Sequence, residues 1–247
     1  MTDPAIIAAI IATFLLAGAV KGVIGLGLPT VSLGLMTAVL DLPSAMALMI
    51  LPSLVTNLWQ GVVGGHLRLL LMRLWPFLGM ATVTIWLGAQ ALSHVDLSWL
   101  SALLGALLVA YAGLNLAGVR LSISSHREPL AGPAFGLVNG MLTGMTGSFV
   151  VPGVLFLQAI GLTRDQLVQA MGLLFTLSTA ALALALGTGG LWTAELGAAS
   201  ALAVLPAILG MMLGARIRGR LSETAFRRVF FLSILILGVY IVTRSLA

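Results

Sequence analysis

The 247-residue sequence has no cysteine, a single lysine and only 8% charged residues. Without cysteine there are no disulfides, no thiolate metal sites and no thiol catalysis, while the redox compartment stays open. An ordinary soluble domain is about a quarter charged and under half apolar. A chain that is 8% charged and 60% hydrophobic is therefore no water-soluble core. A bilayer accommodates it, because a helix in hydrocarbon satisfies its own backbone hydrogen bonds and tolerates apolar side chains on every face. Chemistry-bearing motifs are missing as well. No P-loop is present, so ATP is not bound by that device. His66, His94 and His126 are the only histidines. Each lies in a loop or at the end of an apolar run, and none forms a His-Glu-x-x-His pair; a nucleophile elbow is also lacking. The chain reads as a non-enzyme without a cofactor or metal.

A net charge of +5 and a pI near 11.1 raise nucleic acid as a partner. The basic residues, however, form no single patch interleaved with aromatics. They sit in short gaps between apolar runs, the placement by which Lys and Arg set the orientation of membrane proteins. The first apolar run follows Met1, Thr2 and Asp3 rather than a basic start, and it outlasts a signal-peptide core. It therefore reads as a span rather than a cleaved leader.

The runs are Pro4 to Leu40 with an interruption, Leu42 to Val63, Leu74 to Leu92, Leu97 to Ala117, Leu130 to Ile160 with an interruption, Leu167 to Leu186, Leu196 to Gly214, and Val229 to Thr243. A spanning helix needs about 20 apolar residues. These lengths predict an all-α, polytopic transmembrane bundle. The longest hydrophilic stretch, Arg120 to Pro129, falls near mid-chain and divides a first membrane repeat (1–118) from a second (131–247), with 119–130 as a cytoplasmic connecting loop.

The halves echo each other. Gly18-x-x-Lys21-Gly22 leading to Pro29 is answered by Gly136-x-x-Asn139-Gly140 leading to Pro152. Pro76/Gly79 is answered by Pro206/Gly210, Leu87-Gly88-Ala89 by Leu213-Gly214-Ala215, and Tyr111 by Tyr240. Charge placement selects the inverted form of the repeat. If each interrupted run enters and leaves on one side, Arg68, Arg73, Arg120, Arg127, Arg216, Arg218, Arg220, Arg227 and Arg228 share a face, and Asp3, Asp41, Asp96 and Glu195 share the other. Single crossings would put the arginine-rich loop opposite the earlier basic loops, against the positive-inside rule. Arg244 is the one misfit.

Isolated glycines in membrane helices usually let backbones approach. Gly132, Gly136, Gly140 and Gly144 recur every four residues and predict a tight crossing, as do Gly61 with Gly65 and Gly210 with Gly214. Two denser stretches, Gly22 to Pro29 and Gly140 to Ser148, predict a broken helix or re-entrant hairpin in each half, since glycine density and a following proline interrupt the helical ladder. Paired breaks at matching positions are the sequence pointer to a transporter's binding site, where exposed amides and a half-helix N-terminus suit an anion. Lys21, beside the first break, strengthens that reading, because an ionisable group at membrane depth costs at least ~2.5 kcal/mol unless it is complemented. Asp41 and Asp165 are the candidate acids, both at helix ends, and a bound anion is the simpler complement. The candidate site comprises Lys21, Gly22, Gly25, Gly27, Pro29, Asn139, Gly140, Thr143, Gly144, Thr146, Gly147 and Ser148. Asn57, Gln60, Gln158, Gln169 and Ser178 read mostly as interhelical bonds.

At these residues the sequence resembles the sulfite exporter TauE/SafE family of membrane permeases. The resemblance rests on Lys21-Gly22-x-x-Gly25-x-Gly27-x-Pro29, on Gly140-x-x-x-Gly144-x-x-Gly147-x-x-x-x-Pro152 and on the arginine-rich loop from Gly214-Ala215-Arg216 to Arg228, and it covers essentially the whole chain. The first glycine cluster is compressed relative to the family's pattern, and Met145 with Thr146 stand where consecutive glycines are common. The resemblance implies a multi-pass protein of the bacterial inner membrane that moves a small sulfur-containing or organic anion such as sulfite or an organosulfonate. Substrate identity, direction, a coupling proton or ion, and homo-oligomerisation stay open. A non-transporting membrane assembly factor is the alternative, and an intramembrane enzyme ranks below it.

Overall fold

The computed structural model describes residues 3–119 and 121–247; Met1, Thr2 and Arg120, the last counted above among the basic loop residues, lie outside them. Among the described residues the secondary structure is helical, with no strand. The first half contains α1 (Pro4–Ile24), α2 (Leu28–Val39), α3 (Leu42–Val62), α4 (Leu67–Val83) running through the short α5 (Ile85–Ala89) and α6 (Ala91–His94), and α7 (Leu97–Leu116). The second contains α8 (Glu128–Thr146), α9 (Gly153–Ala159), α10 (Arg164–Thr188), α11 (Ala194–Ile217) and α12 (Glu223–Leu246), with a 3-10 turn over Arg218–Arg220. Seven helices in these residues are long and apolar enough to cross a bilayer. The helix α8, with four glycines and Pro129 and Pro133 in its nineteen residues, is not among those seven.

Local chemistry explains where the helices start. Asp3, Asp41 and Asp96 cap α1, α3 and α7, each accepting a backbone N–H two or three residues on, and Pro4, Pro43 and Pro129 fill first-turn positions whose N–H has no helical partner. Hydrogen bonds from the Ser98 N–H and hydroxyl hold the exposed Asp96 carboxyl below its usual range. The acids at the starts of α1, α3 and α7 are thus caps.

The helices pair across the two halves: α1 with α11, α8 with α4 and α5, α3 with α10, and α7 with α12. Glycine sits in each contact. Added methyl groups on Gly18 and Gly22 would overlap backbone of α11, and those on Gly210 and Gly214 would overlap the Leu15 and Ala19 carbonyls of α1. Methyls on Gly136, Gly140 and Gly144 would do the same to α4 and α5, and one on Gly88 would strike the Met141 carbonyl. Gly61 lies against Gly172, and Gly105 against Gly238. Such approach lets apolar helices gain dispersion energy where no hydrophobic effect separates them from lipid.

Loops rich in arginine gather on one face. Arg73, in the second turn of α4, forms a bidentate pair with Glu128 of α8, at 2.8 and 2.7 Å, and donates to the Ile160 carbonyl beyond α9. One cavity brings the ends of α7 and α9 against Arg227 of α12, and another brings Val23 against Arg164 and Arg218. The interrupted runs therefore each leave on the side they entered, as α1–α2 and α8–α9 hairpins. Arg244, the misfit by charge, donates to the Ala38 carbonyl in the last turn of α2, where a cation complements the helix dipole.

The breaks are shorter than the glycine density predicts. Helix α1 continues through Gly22 to Ile24 and α8 through Gly140 and Gly144 to Thr146, because those glycines are held against neighbouring backbone. Only 25–27 and 147–152 leave the helix. We expect Gly144→Leu and Gly214→Leu to cost at least ~2 kcal/mol by overpacking and to lower the thermal midpoint in detergent. Gly113→Ala, whose methyl meets nothing within 4 Å, serves as the neutral control; equal midpoints for all three variants would show that the crossings do not depend on close approach.

Candidate functional site

Helix α1 is 21 residues long, about 31 Å at 1.5 Å per residue, so its break lies toward the arginine-rich face. The two breaks end their helices in the same way. Gly25 (φ 78°) and Gly147 (φ 73°) take the left-handed conformation open to glycine, and their N–H groups bond to the Lys21 and Thr143 carbonyls at 2.7 Å. By this geometry Thr143, rather than Asn139, occupies the Lys21 place in the second half: Gly18-x-x-Lys21-Gly22-x-x-Gly25 matches Gly140-x-x-Thr143-Gly144-x-x-Gly147 at one constant offset.

Lys21 is 4% exposed. Its ammonium reaches α3, donating to Asn57 Oδ1 and, at 3.2 Å, to Thr56 Oγ1. Both partners are neutral. Asp41 bonds to Ser44 at the start of α3, and Asp165 is exposed in the first turn of α10. The Thr56 hydroxyl is shared with the Pro52 carbonyl at 2.8 Å. Thr56 and Asn57, the partners of the ammonium, are not among the candidate site residues of the sequence, and Pro52 within their helix is the one local signal there.

The second break is closed. Asn139, fully buried, accepts the Gly153 N–H at 2.8 Å, so it stitches the start of α9 to α8. Thr143 donates to the Ser148 carbonyl at 3.0 Å, Thr146 donates to the Leu142 carbonyl, and Thr146 accepts the Ser148 N–H. A side chain on Gly147 would run into Met46, Leu33 and Met49. Residues 146–150 are all buried, whereas 24–26 are half-buried. The structure thus brings Lys21 beside Gly22 and Gly25, Thr143, Thr146 and Ser148 around Gly147, and Asn139 against Gly153 at the far side of the second break. Gly27 and Pro29 open α2, with Gly27 (φ 108°) against Phe230, while Gly140 and Gly144 face α4 and α5.

The remaining polar side chains divide. Gln60 donates to the Val168 carbonyl and Gln169 to the Gly61 carbonyl, clasping α3 to α10. Gln158 is exposed on the arginine-rich face. Six buried polar atoms around these helices have no partner among the described residues: Asn57 Nδ2, Asn139 Nδ2 and the hydroxyls of Thr37, Ser53, Ser178 and Thr179. Amides and hydroxyls in that state are unused donors for an oxyanion. No group of three or more potential metal-ligating side chains occurs among the described residues.

No curated protein and no solved structure matches the chain. The family model described as "Sulfite exporter TauE/SafE" matches residues 10–241. With seven apolar spans and a match over nearly its full length, the chain is a multi-pass membrane protein that belongs to the sulfite exporter TauE/SafE family of membrane transporters.

Proposed function

We propose that the protein is a secondary permease that moves a small sulfur-containing or organic anion, such as sulfite or an organosulfonate, across the bacterial inner membrane. The observation that carries this reading is Lys21: the chain's one lysine is buried, and among the described residues only Asn57 and Thr56 are its hydrogen-bond partners. A desolvated cation with neutral partners retains much of its burial cost. An anion offsets it. The substrate site is formed by Lys21 with Gly22, Gly25, Gly27 and Pro29 in the first half, and by Asn139, Gly140, Thr143, Gly144, Thr146, Gly147 and Ser148 in the second. Asn57 and Thr56 join them by contact with the ammonium.

The halves, 1–118 and 131–247 joined by the cytoplasmic loop 119–130, act as inverted repeats that rock against each other. Supporting this are the reciprocal pairings, in which the first helix of each half crosses the fourth of the other, α1 on α11 and α8 on α4. With arginines on the cytoplasmic side, the half-buried first break faces inward and the sealed second break outward. Met46 and Met49, pressed on Gly147, are then part of the outer closure.

Two variants test the assignment in proteoliposomes loaded with labelled sulfite or methanesulfonate. Lys21→Ala inserts and folds normally by size exclusion but lowers flux by about 100-fold, the worth of a lost charge-assisted bond near 3 kcal/mol. Wild-type flux in that variant removes Lys21 from the pathway. Gly147→Leu, which forces a side chain onto a left-handed backbone beside Met46, blocks flux; uptake that persists unchanged reduces the second break to packing.

A further inference from the structure

A second cluster lies on the arginine-rich face, one helical turn beyond Lys21. A cavity of about 30 Å³ is lined by Ile24, Leu26, Tyr111, Gln158, Arg227 and Phe231, which is room for one water-sized group. Ile24 and Leu26 flank Gly25, so this cavity abuts the first break and the opening turn of α2, whose first amides have no carbonyl of their own helix to bond. Tyr111 is 0% exposed, and its hydroxyl has no partner among the described residues. A buried unpaired hydroxyl is costly. Gln158 and Arg227 also line a wider cavity of about 710 Å³ between the ends of α7, α9 and α10. The Arg227 guanidinium stands 6.0 Å over the Phe231 ring, and that ring packs edge-on against Tyr111 at 5.4 Å. Among the described residues neither lining includes a carboxylate.

The cluster presents a guanidinium, a phenol, an amide and a helix N-terminus, which is a set of hydrogen-bond donors. We propose that it is an entry station for the transported anion: Arg227 draws the anion into the wider cavity, and Tyr111 and Gln158 receive one of its oxygens beside the first turn of α2, before it reaches Lys21. This rests on the permease reading above, and Arg227, Tyr111 and Gln158 are specificity-determining residues added to it. A mouth station sets capture rather than the chemistry of passage, so its loss raises KM more than it lowers turnover at saturation.

The test combines flux with equilibrium binding of labelled sulfite to the purified protein. Arg227→Gln is expected to raise the KM for flux from the arginine-rich side about tenfold with saturated flux kept within about twofold, and Arg227→Lys to recover most of the loss. Tyr111→Phe, which keeps the ring packing, gives a smaller rise in the same direction. In the Lys21→Ala background weak sulfite binding persists, and adding Arg227→Gln removes it. An unchanged KM in Arg227→Gln and Tyr111→Phe, with wild-type flux intact, overturns the station and leaves the permease reading standing. Absent flux in the wild type, with sulfite binding that still depends on Arg227, overturns the permease reading and leaves the station. Binding in Lys21→Ala that is abolished, or indifferent to Arg227, overturns the station.

Discussion

A backbone group freed inside hydrocarbon has no water to turn to, and in this protein the polar side chains are placed to meet that constraint. Pro52 interrupts α3 and cannot donate to the Leu48 carbonyl; Ser200 of α11 donates to that carbonyl at 2.9 Å and accepts the Leu51 N–H at 3.1 Å. Thr84, where α4 meets α5, donates to the Met80 and Leu137 carbonyls. At the second break Asn139 takes the Gly153 N–H. At the far ends of the two hairpins Arg244 and Arg73 hold the Ala38 and Ile160 carbonyls. These irregularities are thus matched by side chains, often from the opposite half. The breaks exist because the neighbours support them.

The same constraint governs the glycines. A membrane helix gains nothing by turning an apolar face away from lipid, so cohesion comes from backbones close enough for dispersion to count. Gly22, Gly140 and Gly144 stay helical despite their low propensity, because each is pressed on a neighbouring backbone. Gly25 and Gly147 leave the helix because their carbonyl-capping geometry requires a positive φ. Equal density in sequence therefore hides two roles, packing and interruption. Only contact with a partner helix separates them, which is why the interruptions are narrower than the glycine runs.

Much else was legible. Apolar run lengths located the spans, and charge placement identified the shared face of the arginine loops, now tied together by the Arg73–Glu128 pair and by cavities joining the ends of α7, α9 and α12. Lys21 stood out by cost alone. Its partners did not, because Thr56 and Asn57 lie some 35 residues away on a helix whose facing side no periodicity of α1 reveals. The match of Asn139 to Lys21 rested on a shared Gly-x-x-polar-Gly pattern, but that pattern occurs twice in succession in α8. The capping bonds of Gly25 and Gly147 select the second occurrence and put Thr143 in the equivalent place.

That registration makes the two halves chemically unequal at a matched position. A cation sits in one half, and in the other a hydroxyl is already committed to the Ser148 carbonyl. A second buried ammonium would double the desolvation cost, whereas one suffices to complement a small anion. The polar atoms without partners continue this economy. Thr56 and Asn57 are the fifteenth and sixteenth residues of α3, and Ser178 and Thr179 hold the same places in α10. On α3 those places serve the ammonium; on α10 both hydroxyls have no partner among the described residues. Donors left idle beside the central helices contrast with the freed carbonyls that Ser200 and Thr84 take up. Their burial cost is tolerable where a ligand with many acceptors and no donors takes them up, and an oxyanion is such a ligand.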